Sequence, residues 1–144
     1  MTRAQLEAIV AWWRPRLGLE RWALEVRWDR DPDEPSFTDT QNAFIWRARD
    51  YEEARLYFNP AKHGDWDRER ANQIAVHELL HLVCREAEWI LDLLDEQLHR
   101  DVDTMISRSH HHALEGAIDR VACRLVELVA ELGELPPQAK AKAA

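Results

Sequence analysis

The residues best suited to chemistry are two histidines and a glutamate in the stretch His77-Glu78-Leu79-Leu80-His81. Residues i and i+4 lie on the same face of an α-helix, so His77 and His81 would direct both imidazoles toward one point. Glu78 is rotated by about 100° from His77, so it can reach a metal-bound water without being a ligand. This spacing is typical of zinc hydrolases, in which the metal acidifies its water and the glutamate takes the proton.

The motif lies in a segment that contains neither Gly nor Pro and whose apolar residues recur at helical spacing. The apolar stripe consists of Val76, Leu79, Leu80, Val83, Ala87, Ile90, Leu91 and Leu94. A surface helix with two chance histidines would not carry this stripe, so the pattern predicts a buried helix over about residues 68–94. Asp65 or Asp67 can cap its N-terminus.

A third metal ligand must come from another segment, because a catalytic zinc usually has three protein ligands and one open position. Glu115 and Asp119 are one turn apart on the last predicted helix, so their carboxylates share a face. We predict that Glu115 binds the metal and that Asp119 accepts the Nδ1 proton of a ligand histidine. The alternative is a solvated acidic edge, but both carboxylates flank an apolar stripe.

Three consecutive histidines, His110, His111 and His112, offer alternatives in the same region. One of them could replace the glutamate as third ligand and create a three-histidine site. One could instead stand at the rim and donate a hydrogen bond to the oxyanion that develops during hydrolysis, a role also open to His63 and Tyr57. Histidine runs at a helix start are more often exposed polar sequence.

Periodicity predicts an α+β fold with an N-terminal helix, a small sheet and then helices. Thr2 and Gln5 form a capping box for a helix over about residues 3–14, which Pro15 should end. Alternating apolar and polar residues predict three strands, at about residues 22–28, 42–48 and 54–59. The short links between these strands favour a mostly antiparallel meander.

The remaining sequence predicts helices and one domain. Residues 95–108 look helical, and Ser107 or Ser109 can cap a last helix that ends near Leu132, at Gly133. We predict a single domain over residues 1–133 and a disordered tail over residues 134–144.

Composition limits the partners. The chain has 144 residues and a net charge of -8, which argues against nucleic acid or an anionic membrane as main partner. No run of about 18 apolar residues exists, and residues 1–11 lack the apolar core of a signal peptide. Cys84 and Cys123 do not form a C-x-x-C pair. We therefore expect a cytoplasmic protein without a membrane partner.

The H-E-x-x-H motif at residues 77–81 and the E-x-x-x-D motif at residues 115–119 together resemble the gluzincin group of zinc metallopeptidases. The order of elements resembles small metallopeptidases encoded by phages and bacteria. The Leu-Gly-Leu-x-x-Trp sequence of residues 17–22 and the Ala-Arg-Leu-Tyr-Phe-Asn-Pro sequence of residues 54–60 are part of this likeness. The resemblance spans about residues 5–132.

The resemblance implies a minimal zincin-like fold, one Zn²⁺ per chain and a peptide or protein substrate. It implies that His77, His81 and Glu115 are ligands, that Glu78 is the general base and that Asp119 supports a ligand. The implied location is the cytoplasm of a bacterium or of a phage-infected host cell.

An edge strand of the sheet should pair with an extended substrate, and residues 54–59 are expected in this role. The substrate-binding residues would be Arg55, Leu56, Tyr57 and Phe58.

Two other functions compete with a metallopeptidase. One is a non-catalytic protein that zinc stabilises and that binds a partner, for which a closed site with four protein ligands would be expected. The other is a DNA-associated protease of the three-histidine type, against which the acidic charge argues.

Overall fold

A computed structural model describes residues 1–28, 37, 40–48, 52–85 and 100–136, with side chains of the last range from residue 109 onward. The helices are α1 (Arg3–Arg16), α2 (Arg68–Val83) and α3 (Arg100–Glu131). The strands are β1 (Ala23–Arg27), β2 (Ala43–Arg47) and β3 (Glu53–Phe58), and a 3₁₀ turn spans His63–Asp65. The α+β fold is confirmed, and each strand lies within one residue of its predicted bounds.

The N-terminal helix begins at the predicted capping box. The Gln5 N–H donates to the Thr2 hydroxyl at 3.3 Å, and the Thr2 N–H donates to the Gln5 side chain at 2.9 Å. The helix continues to Arg16, so Pro15 does not end it. A proline in the last turn costs only one intrahelical hydrogen bond. Arg14 donates to the carbonyls of Leu19 and Glu20 in the chain that follows the helix.

The sheet has the order β1-β3-β2, so β3 is the central strand. β1 pairs with β3 in parallel and β2 pairs with it antiparallel. The sheet is therefore mixed, and the predicted meander of consecutive strands is wrong. β3 is the most buried strand, since four of its six residues are buried, and a strand of that kind favours the centre of a sheet.

The central position of β3 also corrects the predicted substrate edge. Arg55, Leu56, Tyr57 and Phe58 lie in the central strand, where both backbone edges are already paired. An extended substrate therefore has no open edge to pair with at these residues. Tyr57 is buried and stacks on Phe44 with 4.7 Å between ring centroids, so it is not a rim donor.

The core lies between one face of the sheet, α1 and α2, with α3 packed on α2. The α2 residues Ala71, Ala75, Val76 and Leu79 are fully buried. One polar bridge crosses this core. The Trp13 indole N–H donates to the Asn72 side-chain oxygen at 2.7 Å, so α1 is tied directly to α2.

The motif helix starts where the sequence predicts, with the Asp67 side chain accepting from the Arg70 N–H at 2.7 Å. It ends at Val83 with Cys84 as its C-cap, so the predicted unbroken helix to about residue 94 is wrong, and residues 86–94 lie outside the described residues. The long helix α3 runs without a break through Ser107 and Ser109, so the predicted cap there is wrong. Serine inside a helix costs only a fraction of a kcal/mol, about 0.5, and no Gly or Pro forces a break.

The chain after α3 turns at Gly133, which has a φ of 71° and is the predicted stop. Beyond it, Leu135 packs against the core and Pro136 is buried. Arg68 donates to the carbonyls of both residues, at 2.6 Å for Leu135. The predicted disorder is therefore wrong for these two residues, and residues 137–144 lie outside the described part. Among the helices described, none is long and apolar enough to cross a membrane.

Candidate metal centre

The two motif histidines project from the same face of α2, one turn apart. Their Nε2 atoms are 3.2 Å apart, and their side chains are 19% and 14% exposed for His77 and His81. The neighbouring residues Val76, Leu79 and Leu80 are buried in the core. Burial of that stripe fixes the rotation of α2 about its axis, and this rotation turns the imidazoles toward α3.

The long helix α3 places Glu115 over the two imidazoles. Ile118, Ala122 and Val126 are buried at helical spacing after Glu115, and they pack α3 against the rest of the core. The Glu115 carboxylate oxygens lie 3.4 Å from His77 Nε2 and 3.4 Å from His81 Nε2. The structure therefore brings together the three residues that the sequence singled out as ligands.

The distances among the three donor atoms fit a zinc ion. Tetrahedral zinc with bonds of about 2.0–2.2 Å separates its ligand atoms by about 3.3–3.5 Å. The two Nε2 atoms are 3.2 Å apart, and each lies 3.4 Å from a different oxygen of the Glu115 carboxylate. Two imidazoles and one carboxylate are also a donor set that zinc accepts. The cluster is therefore already arranged for a metal of this size, and the metal itself stays a prediction.

Asp119 contacts the ring nitrogen of His77 that points away from the cluster. Its Oδ1 lies 2.8 Å from His77 Nδ1. A carboxylate oxygen accepts hydrogen bonds, so Nδ1 is the donor in this contact, and the other ring nitrogen, Nε2, points into the cluster. This contact is the one that the E-x-x-x-D spacing predicted. Asp119 is 72% exposed, so solvent weakens the interaction.

Glu78 lies beside the ligand cluster and does not belong to it. Its side chain is buried, with 7% exposure, yet it lines the same cleft as His77, His81 and Glu115. A buried carboxylate next to a metal position is suited to accept a proton from a water there. The position agrees with the role that the sequence suggested, and the role remains a prediction.

The three-histidine run does not join the cluster. His110 and His112 are exposed and His111 is half-buried, all on α3 in the turns before Glu115. None of them belongs to the ligand group or lines the cleft of about 690 Å³. His63 is also elsewhere, since its Nδ1 contacts the Met1 carbonyl at 2.9 Å. Within the part of the chain that the structure describes, the cluster therefore has three candidate ligands, with Glu115 as the third.

One wall of the cleft was missed by sequence reasoning. Residues 41–47, which include all of β2, face the ligand side chains of α2 and α3 across the cleft. β2 is an edge strand, so one side of its backbone is not paired within the sheet. No local signal could reveal this wall, because strand order depends on pairing between distant segments.

The hydrogen bonds at both ends of β2 show which backbone groups face outward. The Asn59 N–H donates to the Asn42 carbonyl at 2.8 Å, and the Ala48 N–H donates to the Glu53 carbonyl at 3.0 Å. Bonding alternates along an antiparallel pair, so even-numbered residues of β2 bond to β3. The N–H and C=O groups of Ala43 and Ile45 therefore point to the open edge.

Comparisons of the chain with protein-family models, with curated proteins and with solved structures found no match. The resemblance to gluzincins therefore rests on the residues of the sequence motifs alone.

Proposed function

We propose that this protein is a zinc-dependent metallopeptidase. The observation that supports this most strongly is the His77, His81 and Glu115 cluster, whose donor atoms lie within 4.8 Å of one another. Glu78 lines the same cleft beside the cluster and is buried. Three protein ligands with an adjacent carboxylate are the arrangement that H-E-x-x-H zinc hydrolases use.

The chain's own residues supply the remaining parts of the reaction. Zinc held by the three ligands would lower the pKa of a bound water and polarise a carbonyl oxygen. Glu78 would accept the proton of the attacking water on its carboxylate and pass it to the leaving amine. Asp119 would keep the His77 ring in the tautomer that presents Nε2 to the cluster.

The open edge of β2 supports a peptide as substrate. The outward N–H and C=O groups of Ala43 and Ile45 can pair with an extended chain, which gives affinity with little demand on its sequence. From Ala43 to Arg47 the strand spans about 13 Å, at roughly 3.3 Å per residue, so it can pair with about four residues of a substrate. This role, expected for residues 54–59, therefore passes to β2.

Zinc content and hydrolysis of a random peptide library test the proposal on the same protein samples. The unmodified chain should carry about one zinc, Glu115→Ala should lose most of it, and Glu78→Gln should keep it. Glu78→Gln should reduce hydrolysis by a factor of about 10²–10⁴, the usual contribution of a general base. Glu127→Gln removes an exposed carboxylate of α3 outside the cleft and should change neither property.

Two outcomes would reject the assignment. Zinc loss in Glu78→Gln would make Glu78 a ligand and not the base. Full zinc binding without hydrolysis of any peptide by the unmodified chain would instead favour the non-catalytic, zinc-stabilised binding protein.

A further inference from the structure

The cleft has two distinguishable ends. Ala43 of β2 pairs with Phe58, and a connection of nine residues, which includes the 3₁₀ turn, leads from Phe58 to the start of α2 at Arg68. Arg47, at the other end of β2, pairs with Ala54 near the start of β3. β2 therefore runs in the same direction as α2, from the N-terminal end of that helix toward its C-terminal end.

A contact at the far side of the sheet agrees with this direction. Arg85, directly after α2, lies over the Trp22 ring at 5.4 Å, and Trp22 precedes β1. β1 and β3 start side by side, so the starts of both strands are near the C-terminal end of α2. Arg47 therefore lies toward the His81 end of the cleft, and Ala43 lies toward the opposite end.

Arg70 occupies that opposite end. It lines the cleft on the same face of α2 as His77, seven residues earlier, which is about 10 Å along the helix axis. Its side chain is exposed, and no carboxylate in the described residues forms an ion pair with it. The neighbouring Glu69 accepts instead from the Gln73 side chain at 3.2 Å. The guanidinium is therefore available to a ligand in the cleft.

The charges around the cleft favour an anionic group on the substrate. Among the described residues, the carboxylates of Glu78, Glu115 and Asp119 line it, together with Arg47 and Arg70. A bound zinc dication would balance two of these carboxylates, so the described lining would be far less acidic than the whole chain, which has a net charge of -8. An arginine fork matches a carboxylate in shape, so a carboxylate is the group that this end of the cleft would recognise.

We propose that Arg70 determines substrate specificity by binding a carboxylate of the peptide, about three residues from the bond that is cleaved. The spacing follows from about 10 Å along α2 divided by about 3.3 Å per residue of an extended chain. The carboxylate comes from an Asp or Glu side chain or from the C-terminus of the peptide. This inference rests on the proposed function, because it takes the cleft to be a peptide site.

Binding to zinc-loaded Glu78→Gln tests this role without catalysis. Labelled nonapeptides of Ala and Ser would carry one Glu, moved one position at a time, or Gln at the same position, each with a free or amidated C-terminus. Fluorescence anisotropy should show tighter binding of about 5- to 10-fold for Glu over Gln at one position, or for free acid over amide. The first result identifies a side-chain carboxylate and the second a C-terminal one.

Additional variants assign the preference to the arginine. Adding Arg70→Gln to Glu78→Gln should abolish the preference for a carboxylate, and Arg70→Lys should keep part of it. Arg70→Glu should instead bind peptides with Lys at the same position more tightly. Arg124→Gln, which removes an exposed arginine of α3 outside the cleft, should leave it intact. Zinc content must be equal in all of these proteins.

Several results would overturn the inference. Equal affinity for every peptide, absence of binding up to millimolar protein, or a preference that survives Arg70→Gln would each exclude this role of Arg70. Peptides that the unmodified chain cleaves without charge preference would refute the inference and leave the peptidase proposal standing. A charge preference that Arg70→Gln removes, in a protein that cleaves no peptide, would support the role of Arg70 and refute the peptidase proposal.

Discussion

The contact between Asp119 and His77 gives a quantitative prediction for metal affinity. Removal of a carboxylate that supports a ligand histidine usually weakens metal binding by about 10- to 100-fold. The hydrogen bond is short, 2.8 Å, but the Asp119 side chain is 72% exposed, so solvent screens its charge. We therefore expect the lower end of that range for Asp119→Ala, about 10-fold in Kd or about 1.4 kcal/mol.

Competition with a chromogenic zinc chelator measures this affinity directly. Asp119→Asn retains an acceptor for the Nδ1 proton but not the charge. Its affinity for zinc should therefore fall by about 3-fold, a smaller loss than in Asp119→Ala. Glu127→Ala removes a similarly placed exposed carboxylate two turns later on α3 and should leave the Kd unchanged. Equal losses in Asp119→Ala and Glu127→Ala would show a general charge effect, and no loss in either would refute the supporting role.

Three other properties can be predicted from contacts in the core and the cleft. Asn72→Ala leaves the buried Trp13 indole N–H without its acceptor. The free energy of unfolding, measured in urea, should therefore fall by about 2 kcal/mol. The control Gln73→Ala, on the same helix, should lower it by only about 0.5 kcal/mol. Zinc at 100 times its Kd should raise that free energy by about 2.7 kcal/mol, a gain that a chelator removes and that Glu115→Ala lacks. Methylation of single backbone nitrogens in a peptide that binds Glu78→Gln should weaken binding at every second position. The reason is that only alternate backbone groups of an extended chain face the edge of β2. An equal effect at all positions would contradict this pairing.

The candidate ligands were predictable because their arrangement is local. His77 and His81, like Glu115 and Asp119, are related by four residues of one helix, and helix geometry alone places each pair on one face. The only long-range step was the approach of α3 to α2, which the apolar stripes of both helices indicated. The structure brings the side chains of His77, His81 and Glu115 together, and their binding of zinc stays a prediction.

The strand order was not predictable in the same way. All three strands alternate or are apolar, and their links, of 15 and 5 residues, do not fix the order, so each strand could pair with either of the others. A parallel pair between β1 and β3 forms only because β2 lies on the other side of β3. The near-complete burial of β3 was visible in part from Leu56 and Phe58, but the sequence of residues 54–59 also contains Arg55, which fits an edge.

Because β3 is the central strand, the strand residues that stabilise the fold and those that would bind a substrate lie in different strands, β3 and β2. Leu56 and Phe58 are fully buried between the helices and two neighbouring strands, so substitutions there act on the free energy of unfolding. β2 has one strand partner and faces the cleft with Ala43 and Ile45, so changes to its backbone act first on binding. β1 occupies the far side of β3, which leaves β2 as the strand beside the ligand face of α2. The candidate ligands thus follow from helix periodicity, whereas the wall opposite them exists because of the strand order.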